Sequence, residues 1–194
     1  MDCMPDCIIP AAGLSARMGA WKPGMPWGSA TVIESVLAAS TAAGCRTIIA
    51  GGNRYEDLRT LLEGVEGIIL AEITGWESGM DATVRGALGY VETDEVFIVP
   101  ADMPMVRSED FRKLKKEGNG VYSRPVYDGV PGHPVLLGPK AVEIVKRSPA
   151  GRPLHRVLAG VPFFALDWNH PGVIRDLDTI GDYKALRQDD IRSD

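Results

Sequence analysis

Apolar positions along the chain fall into short, nearly unbroken runs separated by longer segments of helical character. Cys7-Ile8-Ile9 opens the first run, and Thr47-Ile48-Ile49-Ala50, Gly67-Ile68-Ile69-Leu70 and Val96-Phe97-Ile98-Val99 supply three more. Continuous rather than alternating apolarity is what a strand covered on both faces requires. Helices are predicted between them. Thr31-Val32-Ile33-Glu34 reads as a capping box, with a helix running to about Ala43 and Gly44 as its stop. Tyr55 to Leu62 and Asp81 to Tyr90 are the next two, and Ser108 is expected to cap another that runs to about Lys116. Strand–helix–strand order predicts an α/β fold with a doubly wound, mainly parallel sheet, because parallel neighbours need crossover connections. After Lys116 the pattern loosens. Strands are expected over Val121 to Tyr127, His133 to Leu137 and Val161 to Leu166, with a helix from Pro139 to about Arg147 and a last helix from near Thr179. With no repeat, low-complexity tract or linker, residues 1–194 are expected to form a single domain.

Composition narrows the class. At 194 residues, 45% hydrophobic and 24% charged, the chain is in the range of an ordinary soluble globule. No stretch approaches the roughly 20 apolar residues that span a bilayer, and Met1 to Asp6 lacks the basic-then-apolar order of a secretory signal. A cytoplasmic protein without a membrane partner is the expectation. The net charge of -5 argues against a nucleic-acid partner, while leaving room for a local basic site. Cys3, Cys7 and Cys45 are odd in number and the first pair is not C-x-x-C, so inert thiols are expected rather than a disulfide or zinc site.

The stretch richest in chemistry is Pro10-Ala11-Ala12-Gly13-Leu14-Ser15-Ala16-Arg17-Met18-Gly19-Ala20-Trp21-Lys22. It follows the first strand, at the carboxyl edge where doubly wound sheets bind ligands. Small residues at 11 to 13 let backbone N–H groups approach phosphate oxygens, Ser15 adds a hydroxyl, and Arg17 and Lys22 add positive charge. The spacing is neither G-x-x-x-x-G-K-[ST] nor G-x-G-x-x-G. On spacing alone, an ordinary turn with exposed cations fits as well as a phosphate loop.

Two acidic segments are candidates for a metal. Asp102, just past the Val96 to Val99 run in Pro100-Ala101-Asp102-Met103-Pro104, is placed to hold a hard cation at the sheet edge, or else to cap its own turn. In Asp176-Leu177-Asp178-Thr179-Ile180-Gly181-Asp182, strand-like alternation sends Asp176 and Asp178 to one side, though Asp178 or Thr179 also suits a helix cap.

The first loop resembles the signature of the MobA-like nucleotidyltransferases, A-[AG]-G-x-S-x-R-M-G-x-x-K, with every fixed position present. The resemblance implies a three-layer, Rossmann-like fold of the nucleotide-diphospho-sugar transferase type. It implies that Ala11, Ala12, Gly13, Ser15, Arg17 and Lys22 bind a nucleoside triphosphate, with Arg17, Lys22 and Asp102 catalytic. It also implies a Mg2+ cofactor on Asp102 and Asp178, with Asp176 as second choice for the latter. Glu77-Ser78-Gly79-Met80-Asp81-Ala82-Thr83 resembles the family's nucleotide-facing turn, implicating Gly79 and Thr83, the latter in place of serine. Gly129 to Val135 resembles its Pro-Gly-His-Pro segment, implicating Gly132, His133 and Pro134 beside the acceptor. Departures are Ala101 for a glycine, and Leu177, Ile180 and Gly181 in the closing motif. Guanylyltransferases of the family typically show Ala-Gly-Gly in the first loop and cytidylyltransferases Ala-Ala-Gly; Ala12 indicates the second branch, hence CTP and molybdopterin as substrates. The alternatives are the same chemistry with another nucleotide or acceptor, or a non-catalytic cofactor carrier serving a molybdenum hydroxylase client.

Overall fold

The structure, a computed structural model, describes residues 4–13, 18–149 and 151–191. Its strands in chain order are β1 (Asp6–Pro10), the small hairpin β2 (Pro26–Trp27) and β3 (Ala30–Thr31), β4 (Thr47–Gly51), β5 (Ile68–Glu72), β6 (Val96–Ile98), β7 (Tyr122–Tyr127), β8 (Val130–Pro131), β9 (Val135–Leu137) and β10 (Phe164–Asp167). The helices are α1 (Val32–Ala42), α2 (Tyr55–Leu61), α3 (Met80–Ala87), α4 (Ser108–Glu117), α5 (Pro139–Arg147), the short α6 (Leu154–Val157) and α7 (Ile180–Ile191). One sheet runs β10-β7-β9-β6-β1-β4-β5, with β8 paired to β7.

The four apolar runs take the centre and one flank of that sheet, all parallel: β6, β1, β4 and β5. Their pleat explains why none of the runs alternates. Ile8, Ile48, Val96 and Ile98 pack with Val84 of α3 and Val142 and Val145 of α5. Their neighbours Ile9, Ile49 and Phe97 pack on the other face with Ile33 and Val36 of α1 and Phe111 and Leu114 of α4. Both faces of each strand are thus covered, giving three layers.

β9 is the exception to parallel order, lying antiparallel between β6 and β7. β7 and β8 are joined by a tight turn in which Asp128 (φ 50°) and Gly129 (φ 76°) are left-handed, so the chain reverses into β9 without a crossover. The consequence for the site is direct: β9 begins where β6 ends, Val135 lying opposite Ile98.

Local signals hold in detail at some ends and shift at others. Thr31 and Glu34 close the capping box, Glu34 Oε2 accepting from the Thr31 N–H at 2.7 Å, and Gly44 leaves α1 at φ 93°. The helix expected from Asp81 to Tyr90 is α3 plus a 3-10 turn over Leu88–Tyr90. The strand expected from Val161 starts instead at Phe164, because Val161 closes a turn onto the Leu158 carbonyl (2.9 Å) and Pro162 follows. Arg107, not Ser108, is the cap of α4: the Asp110 carboxylate reaches back to the Arg107 N–H at 2.7 Å.

That same Asp110, 2% exposed, ties the last third of the chain to α4. Its Oδ1 accepts from Trp168 Nε1 at 2.7 Å and from His170 Nε2 at 2.8 Å. His170 Nδ1 accepts from the Gly172 N–H at 3.2 Å, so the proton sits on Nε2. The clasp anchors the segment that leads from β10 to the acidic motif. Asp110→Ala strips one buried acceptor from three donors and is expected to lower the unfolding free energy by about 2–4 kcal/mol, measured by urea denaturation. Unchanged stability would show the clasp to be dispensable.

Candidate active site

At the carboxyl edge of the sheet, the β1 ladder runs one residue past the strand. The Ala11 N–H donates to the Ala50 carbonyl at 2.8 Å. This corrects one expectation: the Ala11 amide serves the sheet, because the register with β4 carries on beyond Pro10. Ser15 and Arg17 lie outside the described residues. The chain is next described from Met18, which is buried against Trp27, Val32 and Leu177. Trp21 then lies under the Arg54 guanidinium (4.8 Å to the ring centroid) and against Gly24, where a Cβ would stand 2.7 Å from its ring. Lys22 and buried Pro23 start a 3-10 turn, and this packing fixes where the Lys22 side chain departs.

Lys22 Nζ donates to Asp102 Oδ2 at 2.9 Å and to Asp178 Oδ1 at 3.2 Å. Residues 80 and 156 positions away in sequence therefore meet at one ammonium. The two acidic segments are stitched together by the Leu177 N–H, which donates to the Asp102 carbonyl at 3.0 Å. Leu177 is fully buried, so its neighbours Asp176 and Asp178 turn to the other side, as the alternation predicted, although the segment is not a strand of the sheet. Asp102 spends its carboxylate on Lys22 rather than on its own turn, and the cap of α7 is Thr179, whose hydroxyl accepts from the Asp182 N–H at 3.1 Å. Of the two residues that suited the cap of α7, Thr179 therefore takes the role, and Asp102 is not a cap of its own turn.

Asp102, Asp176 and Asp178 each offer a carboxylate oxygen within 4.8 Å of the others. The electrostatics match the geometry. Burial works to lower the Lys22 pKa, but the bonds and charges of Asp102 and then Asp178 outweigh it and hold the ammonium above its ordinary value. Burial, then the charges of Asp102 and Asp178, pushes the Asp176 carboxyl above the usual carboxylate range. A cluster of hard oxygen donors that already accommodates one cation fits a divalent ion such as Mg2+.

Beside this cluster opens a cavity of about 340 Å³. It is lined by Ala11, Ala12 and Gly13, by Lys22 and Asp102, and by Trp76, Glu77, Gly79, Met80 and Thr83. Gly79 takes φ 113°, a conformation side chains disfavour, and turns the chain so that the start of α3 faces the cavity. Thr83 lines the wall while its hydroxyl donates to the Gly79 carbonyl at 3.4 Å. Trp76 was not among the sequence candidates. Its ring occupies the space over Gly52, where a Cβ would come within 2.4 Å of it and within 2.8 Å of the Ala12 methyl. A glycine pair at the end of β4, Gly51-Gly52, was the available signal, but only the fold says what approaches it.

Gly132, His133 and Pro134 do not line this cavity. They sit one strand away at the same edge, where β9 begins. Gly132 is wedged against the Val173 backbone, and the His133 N–H donates to the Val173 carbonyl at 2.7 Å. His133 Nδ1 faces the Ile98 carbonyl at 3.4 Å, so Nδ1 carries a proton. Burial, then the Arg124 charge, lowers its pKa to about 4 against the pull of that carbonyl. Cys7 and Cys45 are free and buried, and burial pushes both thiols up, Cys45 to about 12, so neither is a nucleophile at neutral pH.

Comparison with known proteins fits this arrangement. A family model described as a MobA-like NTP transferase domain matches residues 7–167. A molybdenum cofactor cytidylyltransferase from Escherichia coli (strain K12) is 29% identical over 184 residues, covering 94% of this chain and 95% of that protein. A probable molybdenum cofactor guanylyltransferase from Bacillus cereus (strain G9842) is 27% identical over 126 residues, 63% of this chain and 62% of that protein. Among solved structures, a nucleotidyl transferase from Methanothermobacter shares the fold with a TM-score of 0.86 at 18% identity, each chain covered in full.

The depressed His133 pKa has a consequence for stability. Between its unfolded value of 6.5 and its folded value of about 4, the unfolded chain takes up a proton that the folded chain refuses. Stability attributable to this group is therefore present above pH 6.5 and lost as pH falls toward 4. Urea unfolding across that window is expected to show a shallower decline for His133→Asn than for wild type; equal slopes would contradict the neutral assignment.

Proposed function

This chain belongs to the MobA-like NTP transferase family, and we propose that it moves CMP from CTP to molybdopterin with release of pyrophosphate. The carrying observation is that Lys22 meets Asp102 and Asp178, and that Lys22 and Asp102 line a cavity with the first loop and the start of α3. The choice of cytosine is supported by Ala12 in the first loop and by the relative from Escherichia coli, which matches along 94% of this chain.

The reaction needs little acid–base help. The terminal phosphate of molybdopterin is already anionic near neutral pH, its second pKa being about 6. One of its oxygens bonds to the α-phosphorus of CTP, the bond from that phosphorus to the β-phosphate oxygen breaks, and pyrophosphate leaves with the electron pair. What the protein supplies is position and compensating charge. Ala12 and Gly13 and the start of α3 line the cavity, and their backbone amides bind phosphate and sugar groups in this reading. Lys22 offsets triphosphate charge, and Arg17 joins it on the strength of the family signature. A divalent cation, Mg2+ in this reading, would be held by Asp102 and Asp178, with Asp176 as a further carboxylate of the cluster, and would supply charge neutralisation to the bound phosphates. Neutral His133, with Gly132 and Pro134, stands on the acceptor side, one strand from Asp102, as a positioning group for the pterin.

Two measurements test this reading. In a thermal-shift panel with Mg2+, CTP at about 100 times its Kd is expected to raise Tm by roughly 5–11 °C, with GTP, ATP and UTP well below it. A larger shift with GTP would move the protein to the guanylyl branch, and a CTP shift without pyrophosphate release in the presence of molybdopterin would make it a carrier. Asp102→Ala is expected to keep its fold and lower kcat by roughly 100-fold or more. Turnover near the wild-type rate would remove Asp102 from the chemistry.

A further inference from the structure

Lys22 bonds two of the carboxylates that would hold a metal ion. Its ammonium lies 2.9 Å from Asp102 and 3.2 Å from Asp178. The lysine side chain is 12% exposed and the carboxylates of Asp102 and Asp178 24% and 37%, so the pairing is only partly screened by water. A divalent ion seated on the same oxygens would meet the ammonium at contact distance, and like charges so close repel strongly in a half-buried setting. Lysine and metal therefore compete.

Lys22 also lines the cavity, so the same flexible four-carbon stem that reaches the carboxylates borders the proposed triphosphate site. We propose that Lys22 is a placeholder cation: it holds Asp102 and Asp178 in the nucleotide-free protein, and yields them to the metal when a triphosphate draws its ammonium away. This rests on the reading of the cavity as a triphosphate site. The compact ammonium suits the exchange better than a guanidinium would, since it makes no rigid two-pronged lock with a carboxylate. By linkage, a nucleotide that recruits Lys22 raises metal affinity, and the metal raises nucleotide affinity by the same factor. Without nucleotide, apparent metal affinity is reduced by the fraction of molecules in which the lysine holds the oxygens. Metal is thus taken up with or after the triphosphate.

Mn2+ is a suitable probe, being a hard divalent ion with oxygen preference and an electron paramagnetic resonance signal when free. Titrated into nucleotide-free protein, it is expected to bind Lys22→Met at least about tenfold more tightly than wild type, and Lys22→Gln likewise, because the competing charge is gone. Adding Asp102→Asn to Lys22→Met is expected to abolish the gain, which places the ion on these carboxylates. Equal Mn2+ affinity in wild type and both lysine variants would overturn the proposal, as would a gain that survives Asp102→Asn. Since no nucleotide is present, an empty nucleotide panel would defeat the functional reading while leaving the lysine effect intact, so the two failures are distinguishable.

Discussion

The site is organised by a charge balance between one ammonium and the carboxylates of Asp102 and Asp178. Three acidic side chains brought within 4.8 Å of one another repel, and burial sharpens that repulsion, as the raised pKa of Asp176 registers. A cation beside such a cluster offsets that repulsion. Lys22 supplies it, from a turn that Trp21 and Pro23 hold against the end of the sheet. The first loop, the strand-end turn after β6 and the acidic segment before α7 are thereby bound into one unit, with the Leu177 amide on the Asp102 carbonyl as a second tie.

The rest of the fold can be understood as what brings those segments to one edge. Parallel order of β1, β4, β5 and β6 places the ends of all four strands together, and the loops that follow β1 and β6 carry Lys22 and Asp102. The reversal of β9 brings the entry of that strand, with Gly132 to Pro134, to the same edge. Farther out, the buried Asp110 clasp gathers Trp168 and His170 and so directs the chain toward Asp176 and Asp178. A carboxylate far from the acidic cluster thus helps to place two of its members.

Much of this was legible beforehand. The unbroken apolar runs announced strands covered on both faces, and the capping box at Thr31 with Gly44 beyond marked α1 closely, because both are local signals whose physics is contained in a few residues. The loop signature with Gly13, Met18, Gly19 and Lys22, and the isolated Asp102 after a buried run, pointed to the sheet edge. Other features were less accessible. The role given to the Ala11 amide was wrong because ladder register is set by β4, and the cap of α4 moved because Asp110 reaches back. Trp76 carried no sign of lining a cavity, since its place depends on the bare backbone of Gly52 and the methyl of Ala12.

The amino-acid order by itself determined most of the main strands and helices, the doubly wound α/β class and the chemical types available at the edge, because backbone geometry and apolar patterning act over short range. Only the tertiary structure decided which carboxylates share a cation, which face of the loop opens on a cavity and where β9 reverses. Those outcomes depend on contacts between residues as far apart as 22 and 178, and no local signal specifies distance across a fold.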